Sequence, residues 1–172
     1  MSKQRKKPVR PSDGHQVIAT NRNARRDFDI LDTLEAGIVL RGTEVKALRE
    51  GSIQFADANV WIDKGEAYAM GIHIQPWGGS SRFAIPAEPA RRRKLLLHKT
   101  EIELLERKNH VERLALVPIA LYFKEGRVKV EVAVARGRRK EDKRQVLAER
   151  DAERDVERTM ARRQSGKSVY DG

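Results

Sequence analysis

The chain has 172 residues, with 36 Lys and Arg against 25 Asp and Glu, a formal net charge of +11 and no cysteine. The length suits one domain with appendages, and the missing cysteine excludes disulfides, thiolate metal sites and a cysteine nucleophile. The charge points to a polyanionic partner, nucleic acid ahead of an anionic membrane surface; no apolar run approaches the roughly 20 residues of a membrane span, and the basic N-terminus has no apolar signal core, so a cytoplasmic protein is expected.

Residues 1–15 are basic and polar, with Pro8, Pro11 and Gly14, and read as a disordered arm. Gln16–Thr20 is a short apolar patch, and Asn21–Arg26 suits one turn of helix. Phe28 and Ile30 alternate with Asp27 and Asp29 as on a half-buried strand. The pattern resumes at Leu34 and runs to Leu40, with Gly37 marking a bulge or sharp bend. Thr43–Glu50 reads as a short helix capped by Thr43 and ended by Gly51. Two strands follow, one with Ala58, Val60 and Ile62 on one face, the next carrying Tyr68, Met70, Ile72 and Ile74, with a tight turn at Lys64-Gly65. From Pro76 to Arg93 the chain is loop-like and closes in the basic run Arg91–Lys94. Leu95–Leu97 reads as buried. Thr100 and Glu103 have the spacing of a capping box for a helix carrying Ile102 and Leu105 inward.

The clearest unit is the last one. Leu114–Phe123 is apolar, with Pro118 marking an edge or a strand start; Lys124–Arg127 is a turn; then Val128, Val130, Val132 and Val134 alternate with Lys129, Glu131, Ala133 and Ala135. Short antiparallel strands broken by brief helices predict a mainly β fold, a small closed barrel over 16–136 with about three helices. After Arg136 the alternation stops. Residues 137–172 form a charged tail in which Arg150, Arg154, Arg158 and Arg162 recur every four residues beside a thin apolar row of Ala148, Ala152, Val156 and Met160. A helix of this kind is marginal alone, so the tail is expected to be disordered when free and to fold on a polyanion.

Five segments carry a resemblance. NRNARRDF (21–28), LEAGIVLRGTEVKALREG (34–51), RRRKLLLHKTEI (91–102), LVPIALYFKEGRVKVEVAVARGRRKEDKR (116–144) and ERDAERDVER (149–158) stand in the order and spacing of the SsrA-binding protein family, which the chain resembles over nearly all of Asn21–Arg163. The resemblance implies an oligonucleotide-binding-type barrel that binds the D-loop elbow of the tRNA-like domain of transfer-messenger RNA. It also implies a C-terminal tail that enters the decoding centre and empty mRNA channel of a stalled ribosome and becomes helical there. Implied with it are a bacterial adaptor of ribosome rescue, no enzymatic activity, no cofactor or metal, a monomer, and elongation factor Tu in the delivery complex.

The resemblance assigns contacts residue by residue. Glu35, Leu96 within the run Leu95–Leu97, and Lys129 fall at transfer-messenger RNA contacts; Asn21, Arg22 and Arg25 sit where a short helix could present them to the same RNA or serve as ordinary solubilising charge. Gly137, Arg138, Arg139, Asp142, Lys143 and Arg144 fall at contacts to ribosomal RNA, and Thr159 and Met160 at a position linked to helix placement in the channel. Chemistry alone leaves these open. Lys129 can reach a phosphate or sit in water; Glu35 repels phosphate but can accept from base edges; Leu96 can be core or can pack on an unstacked base. Asp142 can cap a helix. The family pattern usually has a histidine or another aromatic residue just before the Asp-Lys-Arg triplet, and this chain has Glu141 there. Two rival readings share the composition: a general translation factor or ribosomal protein, and a metal-dependent nuclease using Asp27, Asp29, Asp57 and Asp63. The scattered acids follow no ligand spacing.

Overall fold

The fold is a computed structural model that describes residues 15–75, 77 and 88–165; the expectations for the basic arm and for most of the 76–90 loop lie outside the described residues. The elements are β1 (His15–Thr20), α1 (Arg22–Asp27), β2 (Phe28–Ile38), α2 (Gly42–Arg49), β3 (Ile53–Asp63), β4 (Glu66–Ile74), β5 (Arg93–Leu96), α3 (Lys99–His110), β6 (Ala115–Lys124), β7 (Arg127–Gly137) and α4 (Lys140–Ser165). All seven strands join one antiparallel sheet in the order β1-β6-β7-β2-β5-β4-β3. The chain divides into two compact units after Gly137.

The expected closed barrel is an open sheet with β1 and β3 at its edges. It curls until β3 lies near β6, but no ladder joins them. The sequence of β6 supplies a reason. Pro118 has no N–H to donate, and the carbonyls of Pro118 and Ile119 are taken by Asn21, whose Nδ2 donates to Pro118 at 3.0 Å and whose backbone N–H donates to Ile119 at 2.8 Å. Pro118 lies inside β6 and not at its start. It pairs with Val132 of β7 on one side, while the β1 ladder stops at Ala120 and leaves its other side an open stretch of strand edge, as a residue without an N–H requires; a bulge follows at Pro118/Ala120.

The inner face of the curl holds the main core. Val128, Val130, Val132 and Val134 project into it as the two-residue period predicts, with Ile72, Ile74, Leu95, Leu116 and Leu121. The opposite face of β7 is not all wet: Ala133 and Ala135 are buried too, Ala133 in a second cluster with Ala24, Val117 and Ile119 under α1. Asn21 makes α1 possible at this spot, because its Oδ1 accepts the Ala24 N–H at 3.1 Å and caps the helix.

Gly37 is not at a bulge. It lies in β2 between Lys129 and Leu96, where a Cβ would stand 3.1 Å from the Leu96 Cβ, so the glycine permits close approach; the bulge of β2 falls at Ile30/Asp32. Tyr68 and Met70 do not share a face with Ile72 and Ile74. Gly71 has φ +73° and stands alone opposite three residues of β3, Ala56–Ala58, which shifts the alternation so that Ala67 and Ala69 point inward with Ile72 and Ile74. A Cβ at Gly71 would come within 2.4 Å of the Ala56 carbonyl oxygen.

Both interior helices begin earlier than the capping signals suggested. α2 starts at Gly42, with the Glu44 carboxylate accepting the Arg41 N–H at 2.8 Å. α3 starts at Lys99, with the Glu101 carboxylate accepting the His98 N–H at 2.9 Å, so Glu101 and not Glu103 closes the first turn. Gly51 ends α2 at φ +73°, and the Lys64-Gly65 and Glu125-Gly126 turns place both residues at positive φ, the twist a two-residue hairpin needs.

Among the described residues no helix is long and apolar enough to cross a membrane.

Candidate nucleic-acid interface

The outer face of the sheet can be read along its register. Glu35 on β2 stands opposite Glu131 on β7, and Gly37, two residues on, faces both Lys129 on β7 and Leu96 on β5. Lys129 in turn faces Tyr122 on β6. Residues that alternate two apart on paired strands share one face. Glu35, Leu96 and Lys129 therefore converge, although they come from three strands. They line a shallow groove of about 520 Å³ together with Glu66, Lys94 and His98.

Leu96 is 55% exposed while Leu95 is buried, so the apolar triplet is split by strand alternation instead of entering the core whole. With Gly37 beside it, the Leu96 side chain forms an apolar wall of the groove. Lys129 supplies a cation at the same level.

Glu35 is held from behind. The Tyr122 hydroxyl donates to its Oε2 at 2.5 Å and the Lys124 ammonium lies 3.1 Å from the same oxygen. Partial burial disfavours the carboxylate, but the Tyr122 and Lys124 hydrogen bonds and the charges of Lys124 and Lys129 outweigh it and keep its pKa below the ordinary 4.5. Tyr122 is pushed up in its turn, by burial first and then by Glu35. The His15 ring stacks on Tyr122 at 5.2 Å between centroids and 8° between planes. The result is an oriented acceptor facing the groove. Tyr122 and Lys124 were not among the residues singled out from sequence. Their signal is visible once the hairpin is drawn, because Tyr122 is the cross-strand neighbour of Lys129.

Next to Glu35, Glu131 is only 5% exposed. Burial raises its pKa, against the nearby charge of Arg25 and a hydrogen bond with Thr33. This ties Arg25 of α1 to the same face. Arg22 is exposed on α1. Asn21 is 5% exposed, with its amide and backbone N–H bonded to α1 and β6, so in this structure it positions the helix.

The basic run before β5 is also not a plain wet surface. Arg93 is fully buried against Glu44, and Arg91 donates to the same carboxylate at 2.6 Å. Lys94 remains on the outer face, bonded to Glu66 at 2.5 Å, and the Arg92 guanidinium lies 4.7 Å from the centre of the Tyr68 ring.

The second unit is described by itself. Gly137 is the last residue of β7, and Arg138 and Arg139 lead into α4, with Lys143 N–H donating to Arg139 at 3.0 Å. The helix begins at Lys140, so Asp142 lies in its first turn beside Glu141 instead of at the cap. Lys143 and Arg144 follow. About 23 Å beyond Arg144, at 1.5 Å per residue, Thr159 donates its hydroxyl to the Asp155 carbonyl at 2.8 Å and Met160 is 62% exposed. None of the described side chains of α4 is buried. The ion pair Asp155–Arg158 spans 3.9 Å with both partners exposed, a geometry worth little.

A curled antiparallel sheet with a groove of mixed apolar and charged walls, on a chain of net charge +11, defines a polyanion-binding β protein. Comparison with known proteins narrows this. The family model described as SmpB protein matches residues 18–162. The SsrA-binding protein of Mycobacteroides abscessus is 48% identical over 159 residues, covering 91% of this chain and 98% of that one; that of Parafrankia sp. is 51% identical over 156 residues, covering 90% and 96%. A solved structure described as "tmRNA-SmpB: a journey to the center of the bacterial ribosome" is similar with a TM-score of 0.60 and 42% identity, over 75% of this chain and 93% of that one. The chain belongs to the SmpB family of SsrA-binding proteins.

Proposed function

We propose that the chain is the RNA-binding adaptor of trans-translation. The sheet unit binds the tRNA-like domain of transfer-messenger RNA, and the tail unit reports whether the mRNA channel of the ribosome is empty. The observation that carries the first half is the convergence of Glu35, Leu96 and Lys129 in one groove. A loop nucleotide there has a cation for its phosphate, an apolar wall for its base and a fixed acceptor for base N–H groups. Arg22 and Arg25 on α1 extend the cationic surface. Delivery as a monomer with elongation factor Tu belongs to the same reading, as does a non-catalytic role.

For the tail, charge placement supports folding on contact. Arg138, Arg139, Lys140, Lys143 and Arg144 crowd the start of α4, where the helix dipole is already positive. Beyond them like charges repeat at four-residue spacing, as at Glu149 and Glu153 or Arg150 and Arg154, which weakens an isolated helix. Ribosomal RNA phosphates at the first turn relieve the repulsion. Thr159 and Met160 then lie deep in the channel, where an intact message would exclude them. Glu141 offers no ring for stacking, so the contacts of the first turn here rest on Arg138, Arg139, Lys143 and Arg144.

The test is to recover and sequence the RNA that co-purifies with the protein: transfer-messenger RNA enriched over bulk tRNA is expected, and equal recovery of both would overturn the reading in favour of a general translation factor. In direct titration, Lys129→Ala should weaken binding and lower the salt slope by about 1, whereas Glu35→Ala should cost about 1–3 kcal/mol with no loss of salt slope.

A further inference from the structure

The groove does not end at Lys94. Lys94 on β5 faces Tyr68 on β4, and Tyr68 faces Trp61 on β3. The three side chains therefore form one row across the outer face, and Lys94 and Leu96 share that face two residues apart. Glu66 joins the row to the groove: it accepts from Lys94 at 2.5 Å and from the Tyr68 hydroxyl, and it lines the groove beside Glu35 and Lys129. At the far end Trp61 is 59% exposed, on a strand whose outer edge is unpaired. A tryptophan is rarely left so open without a partner.

We infer that Trp61, with the Arg92-covered Tyr68 beside it, is a second RNA subsite that stacks an unpaired base of the same RNA gripped by the groove. The inference rests on the function proposed above and adds a contact to it. Three observations select a nucleobase as the occupant. The surface is continuous in register with the groove. Its aromatic members are accompanied by Arg92 and Lys94, whose guanidinium and ammonium suit phosphates and base faces. Its exposed apolar part is little more than Trp61 and Met70, far below the roughly 800 Å² that a stable protein partner covers. A flat indole on a rigid strand accepts any base face, so the subsite adds affinity without demanding a sequence.

The chain has two tryptophans, Trp61 and Trp77. The experiment uses the full chain with Trp77→Phe, leaving Trp61 as the sole tryptophan and exciting it selectively over the tyrosines, titrated with a transcript of the tRNA-like domain. Quenching of Trp61 emission is expected. Trp61→Ala should weaken binding of the transcript by about tenfold, Trp61→Phe should restore most of it, and Trp61→Leu should not, which separates stacking from simple apolar contact. Trp61 is on the outer face, so these variants should keep the wild-type melting temperature. The inference is overturned if emission is unchanged and Trp61→Ala binds like wild type while Lys129→Ala is weakened; the exposed strand edge would then serve another partner. A wild-type chain that fails to bind the transcript at all would overturn the proposed function itself, a distinct result.

Discussion

A chain ending at Gly137 is expected to bind the tRNA-like domain of transfer-messenger RNA as tightly as the full chain and to support no tagging of stalled nascent chains. The boundary is structural: Gly137 is the last residue of β7, still paired with Phe28, and the compact unit ends there. No residue of the groove lies beyond it, so affinity has no reason to change. What is removed is the helix whose arginines and lysines would contact ribosomal RNA. Folding that segment on contact costs several kcal/mol, and the charge-assisted bonds of Arg138, Arg139, Lys143 and Arg144 must exceed it. Replacing those four by alanine in the full chain should therefore reproduce the truncation, with binding in a filter or gel-shift assay retained and tagging in a reconstituted translation system lost. Loss of RNA affinity on truncation, with the sheet unit still folded, would refute the division of labour.

The second large effect concerns stability. Arg93→Ala should destabilise the sheet unit by about 3–5 kcal/mol, read from urea unfolding. All five guanidinium N–H groups of Arg93 are used: Nε and Nη2 donate to Glu44 at 3.0 and 2.9 Å, Nη2 also to Pro89 at 2.9 Å, and Nη1 to Ile72 at 2.5 Å and Arg91 at 3.1 Å. One side chain thus ties α2, β4 and the approach to β5 together. Alanine removes two of the five hydrogen bonds to Glu44 and takes the guanidinium donors from the Ile72, Arg91 and Pro89 carbonyls, of which Pro89 keeps the Ile74 N–H. Arg93→Lys should recover little, because an ammonium cannot span that fork.

The same cluster predicts a pH dependence. Burial pushes the Glu44 carboxyl up, but the bond from Arg91, the Arg41 N–H and the charge of Arg93 outweigh it and hold the pKa below 4.5. A depressed folded-state value means stability that is present above about 4.5 and lost as pH falls through the folded pKa. Glu44→Gln should flatten the acid limb of the stability curve. Glu131, raised by burial, contributes with the opposite sign: its stabilisation is full below 4.5 and fades as pH rises. An acid limb unchanged in Glu44→Gln would place the acid sensitivity elsewhere.

Much of this was legible from residue order. The period of two in β7, the Lys64-Gly65 and Glu125-Gly126 turns and the short helices announce themselves because each rests on interactions within a few residues. Local signals also misled where a nearer competitor existed: Glu44 and Glu101 capture the N–H groups of Arg41 and His98, two residues before the expected caps, and the bulge at Gly71 interrupts the alternation of β4. Long-range pairing was beyond reach. Nothing near Glu35 in the chain foretells the hydroxyl of Tyr122 behind it, and nothing in the run Arg91–Lys94 tells which arginine will be buried.

By itself, then, the order of residues determined a basic, cysteine-free β protein with a charged tail, and through its resemblance a family. Tertiary structure alone decided that the sheet stays open, that Leu96 faces out while Leu95 faces in, and that Glu35, Leu96 and Lys129 meet. The reason is that a strand's alternation is local, whereas register and curl depend on which strand lies alongside and on where a proline or a bulge interrupts the ladder.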